Sequence, residues 1–176
     1  MRRLIMGCGL AAAPAASAAV DDPWLRVAAG AGYACFVDGD DTRYHGVGYG
    51  VDALYGVNSA FVIRGGYLLG DHRTKGASFQ VHTLTVAPRY QLDVLAFVPW
   101  VELAPALFLA DGADGRPDAT LSVALGFGID WLIDEHWSLT PYLDLHQVGG
   151  VDRTPGYLVA GVRFGWRWTL GDPFAP

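Results

Sequence analysis

Residues 120–133 read TLSVALGFGIDWLI and give the clearest indication of the fold. Bulky apolar side chains occupy every second position from Leu121 to Trp131, and small or polar residues, among them Asp130, stand between them. A period of two indicates a β-strand, because successive side chains of a strand point to opposite faces of the sheet. The stretch is long enough for the roughly 9–11 residues that a tilted membrane strand needs.

The same alternation recurs along the chain between clusters of turn residues. It predicts eight strands, at 24–37, 46–57, 60–70, 79–92, 97–110, 120–133, 137–148 and 156–170. Most of these segments exceed the five or six residues that are typical of strands in soluble proteins. The prolines within them, Pro99, Pro105 and Pro141, are expected at strand ends or bulges, because proline lacks a donor for the ladder.

The two faces of each strand differ in bulk, and this difference indicates which face points outward. An eight-stranded barrel has an interior just wide enough for modest side chains. Eight rows of Leu, Phe and Trp would overfill that interior, whereas glycine, alanine and scattered polar groups fit it. We therefore predict an all-β, eight-stranded antiparallel up-and-down transmembrane β-barrel with its apolar rows towards lipid and its polar rows in the lumen.

Composition agrees with this architecture. Hydrophobic residues form 52% of the 176 residues and charged residues only 17%, against about a quarter charged in soluble domains. No run of about 18 apolar residues that could form a spanning helix follows the first twenty positions. The formal net charge is −6, which disfavours nucleic-acid binding.

The N-terminal residues have the pattern of a secretory signal peptide. Arg2 and Arg3 precede an apolar core at 4–13, and the small residues 16–18 form a cleavage site. We expect residues 1–18 to be the signal and 19–176 the barrel, with a net charge of −8 after cleavage. An alternative lipoprotein site at 5–8 leaves an apolar core of only about four residues, below the usual 7–15. The mature part keeps one cysteine, Cys35, expected to be an inert lipid-facing thiol.

The connections alternate between tight turns and longer polar loops. Tight turns are expected near 57–59, 93–95 and 134–136, and longer loops at 38–45, 71–78, 111–119 and 149–155. This alternation matches outer-membrane barrels, whose longer loops lie outside the cell. Both chain ends are then expected in the periplasm. All six tryptophans lie near segment ends and are expected in interfacial girdles, the alternative being core packing in a soluble sandwich: Trp24, Trp100, Trp131, Trp137, Trp166 and Trp168.

Two stretches carry a family resemblance. The run LGFGIDW at 125–131 and the closing GVRFGWRW at 161–168 resemble strands of the OmpA-type family of eight-stranded outer-membrane β-barrels. The resemblance extends over nearly all of the predicted mature chain and implies an outer-membrane location in a Gram-negative envelope. Such families end on a near-terminal Phe read by the barrel-assembly machinery, whereas six residues follow Leu170 here and Phe174 lies outside the strand.

The inward positions collect ten polar side chains that are the candidate site of the molecule. Buried charges must be paired or they cost several kcal/mol. They predict a salt-bridge plug that fills the lumen, with a gated polar pore as the alternative: Arg26, Asp52, Arg64, Arg89, Glu102, Asp130, Asp144, His146, Arg163 and Arg167.

Patterns for catalysis and metal binding are weak. Asp144 and His146 share a face, but lipid A deacylases of similar size carry a serine two residues after an outward histidine, and Val148 stands there instead. The acidic loops at 38–41 and 111–118 lack the spacing and terminal Glu of a calcium loop. The glycine-rich 46–50 lacks the Lys-Ser/Thr of a phosphate loop. We therefore expect no enzyme activity, no cofactor and no metal.

These features together predict a structural, membrane-organising barrel. The alternatives are a small passive pore or solute channel, a surface adhesion barrel that binds through its outer loops, and a soluble lipocalin-like carrier. Expected partners are outer-membrane lipids, lipopolysaccharide and, during biogenesis, the barrel-assembly machinery, with the barrel itself monomeric.

Overall fold

A computed structural model describes residues 23–37, 42–74, 77–92, 96–111, 117–148 and 156–170. The predicted signal segment and the acidic loop 38–41 lie outside these residues. Eight strands account for most of the described chain: β1 (Trp24–Val37), β2 (Arg43–Gly56), β3 (Phe61–Thr74), β4 (Ala77–Gln91), β5 (Phe97–Asp111), β6 (Pro117–Leu132), β7 (Trp137–Val148) and β8 (Gly156–Thr169).

The predicted strands are confirmed, and two of them match to the residue. The largest differences lie where β2 begins at Arg43, β3 continues to Thr74 and β6 begins at Pro117, inside three predicted loops. The polar residues at those positions were assigned to loops because they interrupt the apolar rows. They continue the strand because backbone pairing, which does not depend on side-chain polarity, extends beyond the apolar belt.

The sheet closes on itself. Each strand pairs antiparallel with the next, and β8 pairs with β1, so the sheet has no free edge. A path through register partners that starts at Trp24 and circles the barrel once returns to β1 at Ala34, ten residues further along. This stagger tilts the strands, typically by about 35–45° to the barrel axis. Closure satisfies the backbone groups that lipid cannot bind.

The outward face of the barrel is apolar, as predicted. Along β6, Leu121, Val123, Leu125, Phe127 and Ile129 are all more than 40% exposed, whereas the residues between them are buried or half-buried. The same alternation runs through the other strands and gives the barrel an apolar belt. Such a belt belongs in lipid, and the molecule is a transmembrane barrel. None of the described residues forms a helix that could cross a membrane.

Aromatic side chains mark the terminal end of the barrel, where β1 begins and β8 ends. Trp131, Trp137 and Trp168 are exposed on the outer face there. Trp24 and Trp100 were predicted for the same girdle, and this assignment is wrong because both are only 4% exposed and lie in the lumen. Position near a segment end does not tell the two faces apart, whereas residue parity does.

Pro99 is the third residue of β5, near a strand end as predicted, whereas Pro105 and Pro141 lie within their strands without a bulge, which corrects the expectation for these two. The β4–β5 ladder lacks pairs at 86–88 and 103–105, which hold Pro88 and Pro105, yet the register is the same on both sides of the gap. The β6–β7 ladder is interrupted opposite Pro141 in the same way. No residue is inserted, so each gap reflects missing N–H donors and not a bulge.

Two tight turns at the terminal end are held by side-chain caps. Asn58 Oδ1 accepts hydrogen bonds from the N–H groups of Ala60 (2.9 Å) and Phe61 (2.8 Å). Asp134 Oδ1 accepts from the N–H groups of His136 and Trp137, both at 2.7 Å. Such Asx turns reverse the chain within a few residues and set the register of the hairpins they close.

The apolar belt generates a depth-dependent prediction. Phe127→Arg or Leu125→Arg, in the middle of β6, should destabilise the folded barrel by about 2–4 kcal/mol, because the charge enters lipid near the midplane. Leu121→Arg, nearer the end of the same strand, is the matched control and should cost about 0–1 kcal/mol. Urea titration in lipid vesicles, followed by the heat-shifted gel band, measures each value. If Phe127→Arg were as stable as wild type, the assignment of this face to lipid would be wrong.

The Asp134 turn generates a prediction on acid sensitivity. Hydrogen bonds from the backbone of Trp137 and then His136 hold the pKa of the Asp134 carboxyl below its usual value. A carboxyl whose pKa is lowered by folding contributes stability above its unfolded pKa of about 3.9 and loses it as the pH falls through the folded pKa. Asp134→Asn keeps an acceptor but not the charge, so its urea midpoint should vary less than that of wild type below about pH 4. Parallel pH profiles of the two proteins would contradict this assignment.

Candidate functional site

The lumen contains a set of charges to which every strand contributes one member. These eight side chains are 2–5% exposed, and four arginines balance four carboxylates: Arg26 on β1, Asp52 on β2, Arg64 on β3, Arg89 on β4, Glu102 on β5, Asp130 on β6, Asp144 on β7 and Arg163 on β8. We call this set the charge layer. All eight stand among the ten polar residues predicted for the lumen.

Asp130 organises the part of the charge layer nearest the terminal end. Arg26 Nη2 donates to Asp130 Oδ2 at 2.6 Å, and the Thr140 hydroxyl (2.7 Å) and Trp100 Nε1 (3.2 Å) donate to Oδ1. Arg89 Nη1 lies 3.7 Å from the same carboxylate. The hydrogen-bond donors come from β1, β5 and β7, and Arg89 of β4 adds an ion pair, so one buried anion joins strands on several sides of the barrel.

Arg64 occupies the centre of the charge layer. Its Nε donates to Asp52 at 2.7 Å, its Nη1 to Glu102, and its Nη2 lies 3.7 Å from Asp144. Arg163 binds both Asp52 (2.6 Å) and Asp144 (2.7 Å), so that these three residues and Arg64 form a closed ring of ion pairs. One guanidinium thus contacts three carboxylates on three other strands, which its planar fork of five donors permits.

Arg89 connects the ion pairs around Asp130 with those around Arg64. Its Nε binds Glu102 at 3.0 Å and its guanidinium lies 3.7 Å from the ring centroid of Trp100. Arg163 stacks in the same manner over Tyr142, at 3.4 Å. Cation–π contacts of this kind stabilise by about 2 kcal/mol when desolvated. The eight charges therefore form one continuous chain of ion pairs, which aromatic rings cover in part.

Glycines in the barrel wall make room for these groups. A Cβ on Gly126 would lie 2.8 Å from Asp144 Oδ1 and 2.8 Å from Glu102 Cγ. The small inward residues that suggested the orientation of the wall are thus required by the side chains opposite them. A larger residue at Gly126 would displace two carboxylates of the charge layer.

An aromatic cluster fills the lumen nearer the loop end, where β1 ends and β8 begins, and sequence reasoning missed it. The ring of Phe36 lies 5.6 Å from Phe79 and 6.0 Å from Phe108, and Phe108 lies 5.8 Å from Tyr157. His72, which is fully buried, stacks on Phe79 at 5.0 Å. All five residues lie at positions between the exposed residues of their strands. This alternation is the sequence signal from which their inward orientation could have been predicted.

The two remaining predicted residues lie at the borders of the charge layer. His146 is buried with its ring 5.7 Å from Tyr157, beside the aromatic cluster, and it forms no salt bridge with another described residue. Arg167 is half-buried near the terminal end, and its guanidinium lies 4.5 Å from the ring centroid of Trp24. His146 thus lies towards the aromatic cluster, and Arg167 lies towards the terminal end of the barrel.

Space for solvent in the lumen is small at the terminal end. The cavity between Trp24, Arg26 and Asp130 has a volume of about 10 Å³, close to the minimum that holds one water molecule. Among the described residues, no group of three or more His, Cys, Asp or Glu side chains is arranged to hold a metal ion. The acidic loop 38–41 and the side chains of 111–118 lie outside this description.

Solved structures with the same fold are outer-membrane barrels. Neisserial surface protein A is 18% identical, with a TM-score of 0.66 over 79% of this chain and 95% of that one. The attachment invasion locus protein Ail of Yersinia pestis is 12% identical (TM-score 0.58, 84% and 99% covered), and the N-terminal barrel of Pseudomonas aeruginosa OprF is 14% identical (0.56, 84% and 98%). No family model and no curated protein matches the sequence. The chain thus has the fold of the eight-stranded outer-membrane β-barrels.

The charge layer generates a prediction on stability. Glu102→Gln or Asp130→Asn should destabilise the barrel by about 3–5 kcal/mol, because each change leaves buried arginines without a counter-charge. Asp71→Asn, which breaks the exposed pair with Arg73 at 3.0 Å, is the matched control and should cost about 0–1 kcal/mol. Urea midpoints in vesicles measure all three. A Glu102→Gln protein as stable as the control would exclude Glu102 from a structural role.

Proposed function

We propose that this protein is an integral outer-membrane barrel with a structural, membrane-organising role and a lumen closed by its own side chains. The observation that carries the proposal is the charge layer, which joins all eight strands through buried ion pairs. The four cations and four anions of the charge layer compensate one another, so the layer itself carries no net charge, and Arg167 adds one cation nearer the terminal end of the lumen. The outer-membrane location is supported by the apolar belt and by the fold.

The aromatic cluster supports the same proposal. A solute that passed the charge layer would next meet the packed rings of Phe36, Phe79, Phe108 and Tyr157. Apolar packing of this kind excludes water, and desolvation strengthens the adjacent ion pairs. Two successive barriers of different chemistry favour a closed barrel over the passive pore that the polar lumen also suggested.

The position of His146 argues against catalysis on lipids. Its side chain is 5% exposed and lies inside the lumen, out of reach of a lipid ester at the outer face. A general base must come within hydrogen-bond distance of the proton that it abstracts. The proposed role is therefore non-enzymatic.

Single-channel recording tests this proposal. The mature chain, refolded into a planar bilayer, should give no discrete openings, while the heat-shifted gel band confirms that it has folded. A conducting porin inserted by the same procedure is the positive control. Steady, discrete openings of the folded protein would overturn the closed lumen and favour the pore, with the charge layer as its selectivity lining.

A further inference from the structure

A groove of about 930 Å³ near the loop end is lined mainly by outward-facing residues, and the buried residues His146 and Tyr157 of the barrel wall also border it. This volume lies in the upper part of the range of about 300–1,000 Å³ that is usual for ligand sites. Its apolar wall includes Leu125 of β6, Leu145 of β7 and Leu158 of β8, and its polar wall includes Tyr33 of β1 and Arg43 and His45 of β2.

The chemistry of the groove changes along the barrel axis. Arg43 is the first residue of β2, at the extreme loop end, whereas Leu125 lies in the middle of β6. An arginine costs about 2–4 kcal/mol at the membrane midplane but only about 0–1 near the interface, so Arg43 belongs at the level of the lipid headgroups. The groove therefore joins the headgroup region to the apolar belt.

The polar wall contains an arginine and a positioned imidazole. Tyr33 Oη and His45 Nδ1 share a hydrogen bond, which holds the imidazole and leaves Nε2 as the nitrogen available to a ligand. Arg43 stands two residues away on the same face of β2, and its guanidinium suits the oxygens of a phosphate. At the β8 side, a Cβ placed on Gly156 would meet no atom within 4 Å, so the groove is open there.

We propose that this groove binds a membrane lipid with an anionic phosphate headgroup. Arg43 and His45 bind the phosphate, and an acyl chain lies along Leu125, Leu145 and Leu158. The inference rests on the proposed function only in requiring that the outer face be in a membrane. It adds a defined lipid site to a barrel for which the closed lumen provides no ligand.

Native mass spectrometry of the purified barrel in a zwitterionic detergent tests the proposal, with phosphatidic acid as the probe. Wild type should bind one phosphatidic acid, and Arg43→Gln should weaken binding about tenfold or more, the effect of losing one charge-assisted contact. Gly156→Leu, which fills the groove without changing charge, should also weaken binding. Arg73→Gln is the matched control, because Arg73 is an outward arginine already paired with Asp71, and should leave binding unchanged.

Three results would overturn the proposal. Equal weakening by Arg73→Gln would mean diffuse attraction to surface charge. Equal binding of phosphatidylcholine with the same acyl chains, insensitive to Arg43→Gln, would mean a non-specific lipid annulus. Displacement of the lipid by an equal concentration of inorganic phosphate would mean an anion site that does not recognise the acyl chain. The gel band confirms folding of each variant, and channel openings would overturn the closed lumen without affecting this result.

Discussion

The pairing of β8 with β1, which closes the sheet, determines where every other side chain of the barrel can point. In lipid every backbone N–H and C=O must find a partner within the protein, and a sheet achieves this only when its last strand pairs with its first. Eight strands with a stagger of ten residues make a narrow tube. The bulky side chains must then point outward, and what points inward must fill the tube and satisfy its own charges.

The lumen meets this demand with two layers of different chemistry. Near the terminal end, ion pairs such as Arg26–Asp130 and Arg64–Asp52 cross between strands. Nearer the loop end, rings such as Phe36 and Phe108 pack without charge. Trp100 and Tyr142 connect the two layers, because each places the face of its ring against an arginine of the ion pairs. The aromatic packing keeps water from the ion pairs, and the ion pairs hold the strands that position the rings.

Much of this architecture follows from alternation alone. Residues 121–131 define their strand and its two faces, and the same parity places Glu102 and Asp130 inside. Which charged side chains form ion pairs is harder to predict. Arg26 and its partner Asp130 are 104 positions apart in the sequence, and they meet only because the sheet closes in one particular register. Trp100 was assigned to the surface from its place near a segment end, although it shares parity with Glu102. The aromatic cluster escaped notice because its members are scattered singly over several strands.

The supply of one charge by each strand has a consequence for assembly. A barrel that lacked a strand, or whose hairpin slipped by two residues, could still alternate apolar and polar faces correctly, so the lipid would not discriminate against it. Inside, however, such an intermediate would hold a guanidinium or carboxylate without its counterpart. All eight charges are therefore paired only in a barrel that contains every strand in the correct register.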